Sequence, residues 1–182
     1  MNRLNSLVAI FAMSMATVSG AALANPMVGG AAMYETKTIV DNAVKSADHT
    51  TLVAAVTAAG LVDTLSSPGP FTVFAPTNAA FGKLPAGTVE TLVRPENKAT
   101  LTSILTYHVV AGRMTSRDIA AAIRAGRGKA TLTTVQGEAL TATMRRGKLI
   151  LTDAKGGRSM VTIANVMQSN GVIHVVDTVL MP

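Results

Sequence analysis

One stretch near the middle of the chain limits the possible folds more than any other, the eleven residues from Phe71 to Phe81. Phe71 to Ala75 is apolar at positions that would face both sides of a strand, which predicts a strand in the interior. Pro76 cannot donate to a sheet ladder, so the strand should end there. Thr77 can then cap a helix by accepting a hydrogen bond from the backbone N–H of Ala80. We therefore expect a buried strand that turns directly into a capped helix.

The remaining elements follow a simple order along the chain. Apolar residues at helical spacing predict helices at 38–46, from Asp48 or Thr50 to Gly60, at 87–93, after Pro95 and from Ser116 to Gly126. Tyr107 to Val110 is predicted to be extended. After Gly126 the pattern changes to β-branched runs between glycine turns, which predict strands at 131–135, 139–144, 148–152, 160–167 and 172–181. Helices in the first half and strands in the second indicate an α+β fold.

Three motifs in this order resemble the signatures of the fasciclin domain family. They are the stretch Phe71–Phe81, the run Tyr107-His108-Val109-Val110 and the closing segment Asn170–Asp177. The resemblance covers residues 71 to 182, and the helices predicted before Phe71 agree with it. It implies a fasciclin-like fold, with two small β-sheets packed as a wedge-shaped sandwich and the helices clustered on one side. It also implies cell adhesion, or interaction with an envelope or matrix, through a surface and without a cofactor.

The first residues have the composition of an export signal. Arg3 precedes an apolar run from Leu7 to Val18, and Ala22-Leu23-Ala24 is a small-residue cleavage site. The apolar run is shorter than the roughly 20 residues that a membrane-spanning helix needs. We therefore expect an exported protein, periplasmic or extracellular, with no transmembrane segment after signal removal. The expected organisation is a signal peptide at 1–24, a flexible lead-in at 25–35 contacting the domain through Met33 and Tyr34, and a fasciclin-like domain at 36–182.

Positive charge is concentrated in the second half of the chain. From Arg113 to Pro182 there are ten Lys or Arg against four Asp or Glu, whereas from Asn25 to Gly112 there are five against six. Either scattered surface charge or a patch for an anionic polysaccharide, lipid headgroups or an acidic protein would explain the excess. Nucleic acid is not an expected partner, because the chain is exported and has few aromatic rings for base stacking. The candidate patch comprises Arg124, Arg127, Lys129, Arg145, Arg146, Lys148, Lys155 and Arg158.

The family resemblance also implies two candidate contact stretches for a cell-surface or matrix protein. In animal relatives these stretches carry integrin adhesion, and the second has an acidic residue where this chain has Asn165. Because a neutral amide replaces the carboxylate, we do not predict integrin binding. Val166 and Met167 also fit a core or edge strand. The candidate residues are Ile104, Leu105, Tyr107, His108, Val109, Val110, Asn165, Val166 and Met167.

No motif predicts catalysis or a metal site. His49 is expected to be exposed, while His108 and His174 lie in apolar runs typical of packed, neutral histidines. Neither His-x-x-x-His nor Gly-x-Ser-x-Gly is present, there is no cysteine, and Asp177 is expected to accept bonds from backbone N–H groups. We therefore expect neither an enzyme nor a bound cofactor or metal. Asn78 is predicted to fix the turn after the central strand by bonding to His108.

A second function class fits the same sequence. An α+β domain of this size can hold a pocket between its helices and its sheet, which would make it a small-molecule or lipid-binding module of the periplasm. Adhesion through charge should weaken as ionic strength rises, whereas an apolar ligand in a pocket should respond little to salt.

Overall fold

The computed structural model describes residues 25–182, so the predicted signal peptide at 1–24 lies outside the described residues. Two short strands come first, seven helices and two strands follow, and the last five strands run in succession. The strands are β1 (Met27–Val28), β2 (Ala31–Ala32), β3 (Phe71–Pro76), β4 (Val109–Ala111), β5 (Lys129–Thr133), β6 (Ala139–Arg145), β7 (Lys148–Thr152), β8 (Arg158–Gln168) and β9 (Gly171–Val176). The helices are α1 (Ile39–Ala43), α2 (Thr50–Ala59), α3 (Val62–Ser66), α4 (Asn78–Phe81), α5 (Thr88–Leu92), α6 (Lys98–Tyr107) and α7 (Ser116–Ala125), and Ala47–His49 and Pro95–Asn97 form 3-10 turns.

The main sheet has seven strands in the order β4-β3-β9-β8-β7-β6-β5. The central pair β3 and β9 is parallel, and the other neighbours are antiparallel. The predicted α+β class is confirmed. The long strand β8 joins two smaller sheets, because its first residues pair with β7 and the remainder with β9. A bridge between Val110 and Thr134 brings the two outer strands together, so the sheet curls towards a barrel.

The core is divided by the central strands into two clusters. Val73 and Ala75 face the first cluster, which includes residues of α1 to α6, and Phe74 faces the second, which lies within the curled sheet and beneath α7. Both faces of β3 are therefore buried, as its continuous apolar sequence predicts. Strand β9 is buried along its whole length as well. Gly171 opens β9 because a side chain there would collide with the Phe71 carbonyl on the neighbouring strand.

The segment expected to be a flexible lead-in is instead folded. Strands β1 and β2 pair as a hairpin. Val28 and Met33 are buried in the first core cluster, while Tyr34 is half exposed. The Met33 N–H also donates to the Pro26 carbonyl at 2.9 Å. Apolar burial therefore fixes this segment against the domain, which its glycines and small residues did not indicate.

Two further expectations are corrected by the structure. Tyr107 is the last residue of α6 rather than the start of a strand, and β4 begins only at Val109. His49 was expected to be exposed, but its side chain is buried because the hairpin, α1 and β3 surround it. Both differences arise from tertiary contacts that local sequence patterns do not report.

Candidate functional site

The predicted contact residues on α6 and β4 do not form a surface. Ile104, Leu105, Tyr107, His108, Val109 and Val110 are all buried in the two core clusters or between them. The Tyr107 hydroxyl donates to the Ala139 carbonyl at 3.0 Å and accepts from the Ala154 N–H at 3.1 Å, so it joins α6 to the sheet. A partner could touch this stretch only if the domain opened. The assignment of these six residues to partner contact is therefore corrected.

His108 is held in one neutral form by two backbone groups. Its Nδ1 lies 2.8 Å from the Ile104 carbonyl, and its Nε2 accepts from the Leu180 N–H at 3.0 Å. Since a carbonyl can only accept and an N–H can only donate, Nδ1 must carry the proton. Burial lowers the pKa of His108 to about 4, although the Ile104 carbonyl favours the protonated ring. His108 thus ties α6 to the C-terminal segment.

The second predicted contact stretch lies in an irregular part of β8. Val166 is buried, Met167 is half-buried and Asn165 is exposed. The Asn165 side chain accepts from the Ser116 N–H at 2.7 Å and donates to the Ser116 hydroxyl at 2.8 Å. Asn165 therefore fastens the start of α7 to β8, and Val166 is a core residue rather than a contact residue. Of the nine candidate contact residues, Asn165 and Met167 are those with accessible side chains.

Thr77 and Asn78 fix the turn that follows β3. The Thr77 hydroxyl accepts from the Ala80 N–H at 3.2 Å. The Asn78 amide oxygen accepts from the Thr51 N–H at 3.0 Å, and its nitrogen donates to the Ala47 carbonyl at 2.9 Å. Asn78 thus joins α4 to the start of α2. The predicted bond from Asn78 to His108 is not formed.

His174 and Asp177 occupy structural positions near the end of β9. The Nε2 of His174 lies 2.9 Å from the Met114 carbonyl, and its ring stacks on Phe74 with centroids 5.6 Å apart. Burial lowers the pKa of His174. Asp177 accepts from the Met160 N–H at 2.8 Å and lies 3.5 Å from the Lys83 ammonium.

Asp177 remains a carboxylate in this environment. Burial raises its pKa, but hydrogen bonds from the Met160 N–H and the Thr178 hydroxyl, together with the Lys83 charge, lower the pKa of Asp177 overall. The arrangement holds a turn together and places no histidine on the carboxylate. Within residues 25–182, no three side chains of His, Asp or Glu lie close enough to hold a metal ion. In the same range, no helix is both long and apolar enough to cross a bilayer.

Strand register and the short connection between α7 and β5 bring six of the eight predicted basic residues to one end of the sheet. Lys129 opens β5 and pairs with Thr143 of β6, while Arg145 at the end of β6 pairs with Lys148 at the start of β7. Two residues along a strand span about 7 Å. Lys129, which lies opposite Thr143, is therefore a close neighbour of Arg145, two residues further along β6. Helix α7 ends at Ala125, just before this edge. We call the exposed set Arg124, Arg127, Lys129, Arg145, Arg146 and Lys148 the basic end.

Lys155 and Arg158 lie at the opposite end of the same strands. Arg158 pairs with Thr152, which is four residues beyond Lys148 on β7 and roughly 13 Å away along the strand. The eight residues predicted as one patch are therefore divided into six and two. Arg117 is an additional basic residue near the six. It shares a groove with Met144 and Lys148, and its seven-residue spacing from Arg124 places both on one face of α7.

The basic end has no acidic partner among the described residues. The two ion pairs in 25–182 are Lys83–Asp177 and Arg94–Glu96, which lie elsewhere. Glu138 and Asp153 lie at the opposite end of the β5–β6–β7 strands, because they flank the pairs Thr133–Ala139 and Thr152–Arg158. The positive charges are thus left to face solvent.

Two residues of the basic end have an unfavourable backbone conformation. Arg127 and Arg146 have φ of 55° and 49°, in the left-handed region. Arg146 precedes Gly147, which has φ of 75°, in the two-residue turn between β6 and β7. Asn or Gly is the usual first residue of such a turn, and another side chain costs about 1 kcal/mol or more there. Arginine at both positions therefore adds charge at a cost in local stability.

Comparison with known proteins gives consistent results. The model of the Fasciclin domain matches residues 47–182. The chain is 47% identical over 176 residues to Protein sll1483 of Synechocystis, covering 94% of this chain and 91% of that protein. It is 42% identical over 138 residues to Immunogenic protein MPB70 of Mycobacterium bovis, covering 73% of this chain and 63% of the relative. Cell surface glycolipoprotein MPB83 of the same species is 41% identical over 122 residues, with 67% and 48% covered.

A solved structure has the same fold, which confirms the predicted fasciclin-like architecture. A FAS1 domain pair from the insect cell adhesion molecule fasciclin I superposes with a TM-score of 0.70 at 19% identity. The match covers 80% of this chain and 51% of that one. The chain thus spans about half the length of the insect domain pair.

Proposed function

This chain belongs to the fasciclin domain family, and from that membership we propose that it is an exported adhesion module that binds an anionic polysaccharide of a cell surface or matrix. The module acts by contact through its basic end and not by catalysis. Export is supported by the N-terminal signal and by the relatives named as immunogenic and cell surface proteins. Adhesion is supported by the fold shared with an insect cell adhesion molecule.

The basic end carries the proposal. Three separate segments supply its six cations, namely the end of α7, the start of β5 and the β6–β7 turn. The positive side chains have no intramolecular ion pair in the described part of the chain. A polymer with repeated negative charges can engage them together, and such a field also accelerates encounter. Arginine occupies positions 127 and 146 although the left-handed backbone there disfavours it. Such strain is expected where the charge of the side chain serves binding.

The test compares two charge-reversed variants that change the net charge equally. Arg145→Glu/Lys148→Glu alters the basic end, and Lys155→Glu/Arg158→Glu alters the opposite end of the same strands. Binding to source cells and to an immobilised anionic polysaccharide would be measured at low and high salt. We expect the first variant to bind at least tenfold more weakly and the second to bind nearly as the wild type does. Binding by the wild type should fall steeply above about 0.15 M salt, where charges are screened beyond roughly 8 Å.

Equal losses from the two variants would mean that net charge, and not the basic end, governs binding. Salt-resistant binding to cells would instead indicate a protein partner on an apolar surface. Either result would overturn the proposal. Thermal unfolding of both variants would verify that they are folded, since all four positions are exposed.

A further inference from the structure

A groove opens where strands β7 and β8 separate. Three residue pairs join these strands at the end of the sheet remote from the basic end. Continuing the same register would pair Leu149 with Val161 and, one step further, Lys148 with Thr162. Neither pair forms within residues 25–182. The four residues line the groove instead, which has a volume of about 370 Å³.

Two irregularities in β8 lie at the same place. The register between β8 and β9 shifts between Val161 and Ile163, and it shifts again between Ile163 and Val166. Thr162 and Ala164 fall within these shifts, so in the described part of the chain neither has a partner residue on β9 or on β7. Both residues are exposed and line the groove. Backbone groups left outside a ladder in this way can pair with a strand from another chain.

Helix α7 forms the facing wall of the groove, and apolar side chains form its floor. Ser116, Arg117 and Ala120 supply the wall. Met144 pairs with Leu149 across β6 and β7, so the two side chains lie on one face of the sheet. Leu149 is buried in the second core cluster, whereas Met144 is 42% exposed. The floor therefore leaves apolar surface that an incoming apolar side chain can cover.

The rim of the groove is positively charged. Arg117 on the α7 wall and Lys148 at the start of β7 are both exposed. Among the described residues that line the groove, none is acidic. Asp118 follows Arg117, but its carboxylate accepts from the N–H and the hydroxyl of Thr115, each at 2.8 Å, within the helix cap. The rim thus favours a partner that carries negative charge.

We propose that this groove binds an extended acidic segment of a partner protein, in which carboxylate and apolar side chains alternate. The backbone of the segment adds to the unpaired edge of β8, an apolar side chain covers Met144, and carboxylates meet Arg117 and Lys148. Strand addition of this kind derives affinity from main-chain hydrogen bonds and specificity from alternate side chains. A polysaccharide can engage the two cations, but it has no peptide groups to pair with a strand edge. The edge therefore favours a protein as the occupant.

The test uses the peptide acetyl-Glu-Val-Glu-Val-Glu-amide as its probe. Methyl NMR spectra of the full chain would report binding through the methyl groups of Met144, Leu149 and Val161. We expect shifts confined to methyl groups around the groove. The matched peptide acetyl-Lys-Val-Lys-Val-Lys-amide should leave the same groups unshifted, because its charge is reversed.

N-methylated peptides separate backbone pairing from attraction between charges. One version of the acidic peptide would be N-methylated on its valines and another on its glutamates, because a strand presents the amides of alternate residues to one edge. At least one version should bind about tenfold more weakly than the parent peptide, since it loses its hydrogen bonds to β8. If both bind as the parent does, the groove recognises charge alone, a polysaccharide is its better occupant and the proposal is overturned.

Two variants locate the site without changing any residue of the basic end. Arg117→Gln should weaken binding of the acidic peptide about fivefold, which corresponds to one exposed ion pair. Arg124→Gln is the matched control, because it removes the same charge from the same face of α7 outside the groove. Ala164→Trp should fill the groove and abolish peptide binding while retaining polysaccharide binding. Ala164 is exposed, so the fold should be preserved, and thermal unfolding would verify this.

Three further results would each overturn the proposal. The first is that the acidic peptide leaves the groove methyl groups unshifted at millimolar concentration. The second is that Ala164→Trp binds the peptide unchanged. The third is an equal loss of peptide affinity in Arg117→Gln and Arg124→Gln, which would mean that net charge governs binding. The comparison of these two arginine variants decides the question if Ala164→Trp does not fold.

Discussion

Acid should destabilise this protein through His108. The pKa of His108 is about 4 in the folded chain and 6.5 in the unfolded chain, so between these values the unfolded state binds the proton more tightly. The stability contributed by the neutral ring is complete above pH 6.5 and is lost as the pH falls towards 4. The whole shift corresponds to about 3 kcal/mol, of which about 2 kcal/mol should disappear between pH 7 and pH 5.

The assay is urea unfolding of wild type and His108→Gln at pH 7 and pH 5. The variant loses hydrogen bonds at both pH values, so the informative quantity is the change in unfolding free energy between the two pH values within each protein. His49 and His174 also have lowered pKa values through burial, but they titrate in both proteins and cancel in the comparison. We expect the variant to lose about 2 kcal/mol less than wild type from pH 7 to pH 5. If both proteins lose the same free energy, the tautomer and burial assigned to His108 are wrong.

Three further predictions concern stability and binding at other positions. Replacing Arg146 by Asn should raise the unfolding free energy by up to about 1 kcal/mol, because Asn tolerates the left-handed backbone, and should weaken polysaccharide binding. Denaturant titration and a binding isotherm would measure the two effects. A lower unfolding free energy in the variant would refute the backbone strain assigned to Arg146. Asn170→Ala should lower the unfolding free energy by about 3 kcal/mol in the same titration, because the Asn170 side chain bonds to Ile39, Leu65 and Ser67. As a control, Asn97→Ala removes one hydrogen bond at the surface and should lower it by about 1 kcal/mol or less. Lys83→Met should change stability by less than about 1 kcal/mol despite its ion pair, since both partners are partly exposed.

The centre of the fold could be predicted from sequence because local chemistry determines it. An apolar run before a proline, followed by a threonine, specifies a strand that ends and a helix that begins. Strand β3 and helix α4 follow that pattern at Phe71–Pro76 and Asn78–Phe81. The end of β3 and the start of α4 each depend on residues within a few positions, so both could be predicted without knowing any distant contact.

The sites were harder to predict because they depend on distant parts of the chain. His49 follows a turn and resembles a surface residue, but the hairpin from the N-terminal segment helps to bury it. Tyr107 lies in an apolar run that suggested a strand, yet its hydroxyl reaches Ala139 and Ala154, and α6 continues to include it. The sequence places eight basic residues near turns but does not indicate which of those turns lie at the same end of the sheet, because strand register determines it.

The two core clusters separate the helix side of the fold from the basic end. Helices α1 to α6 pack on the first cluster, and the basic end is mounted on β5 to β7 and α7, which pack on the second. Both faces of the central strands are buried, so the strands form a packed wall between the two regions. A substitution in the first cluster that does not move this wall cannot change the spacing of the cations. Val56→Ala should therefore lower thermal stability while leaving polysaccharide affinity unchanged, and a change in affinity would mean that β3 and β9 transmit strain between the two clusters.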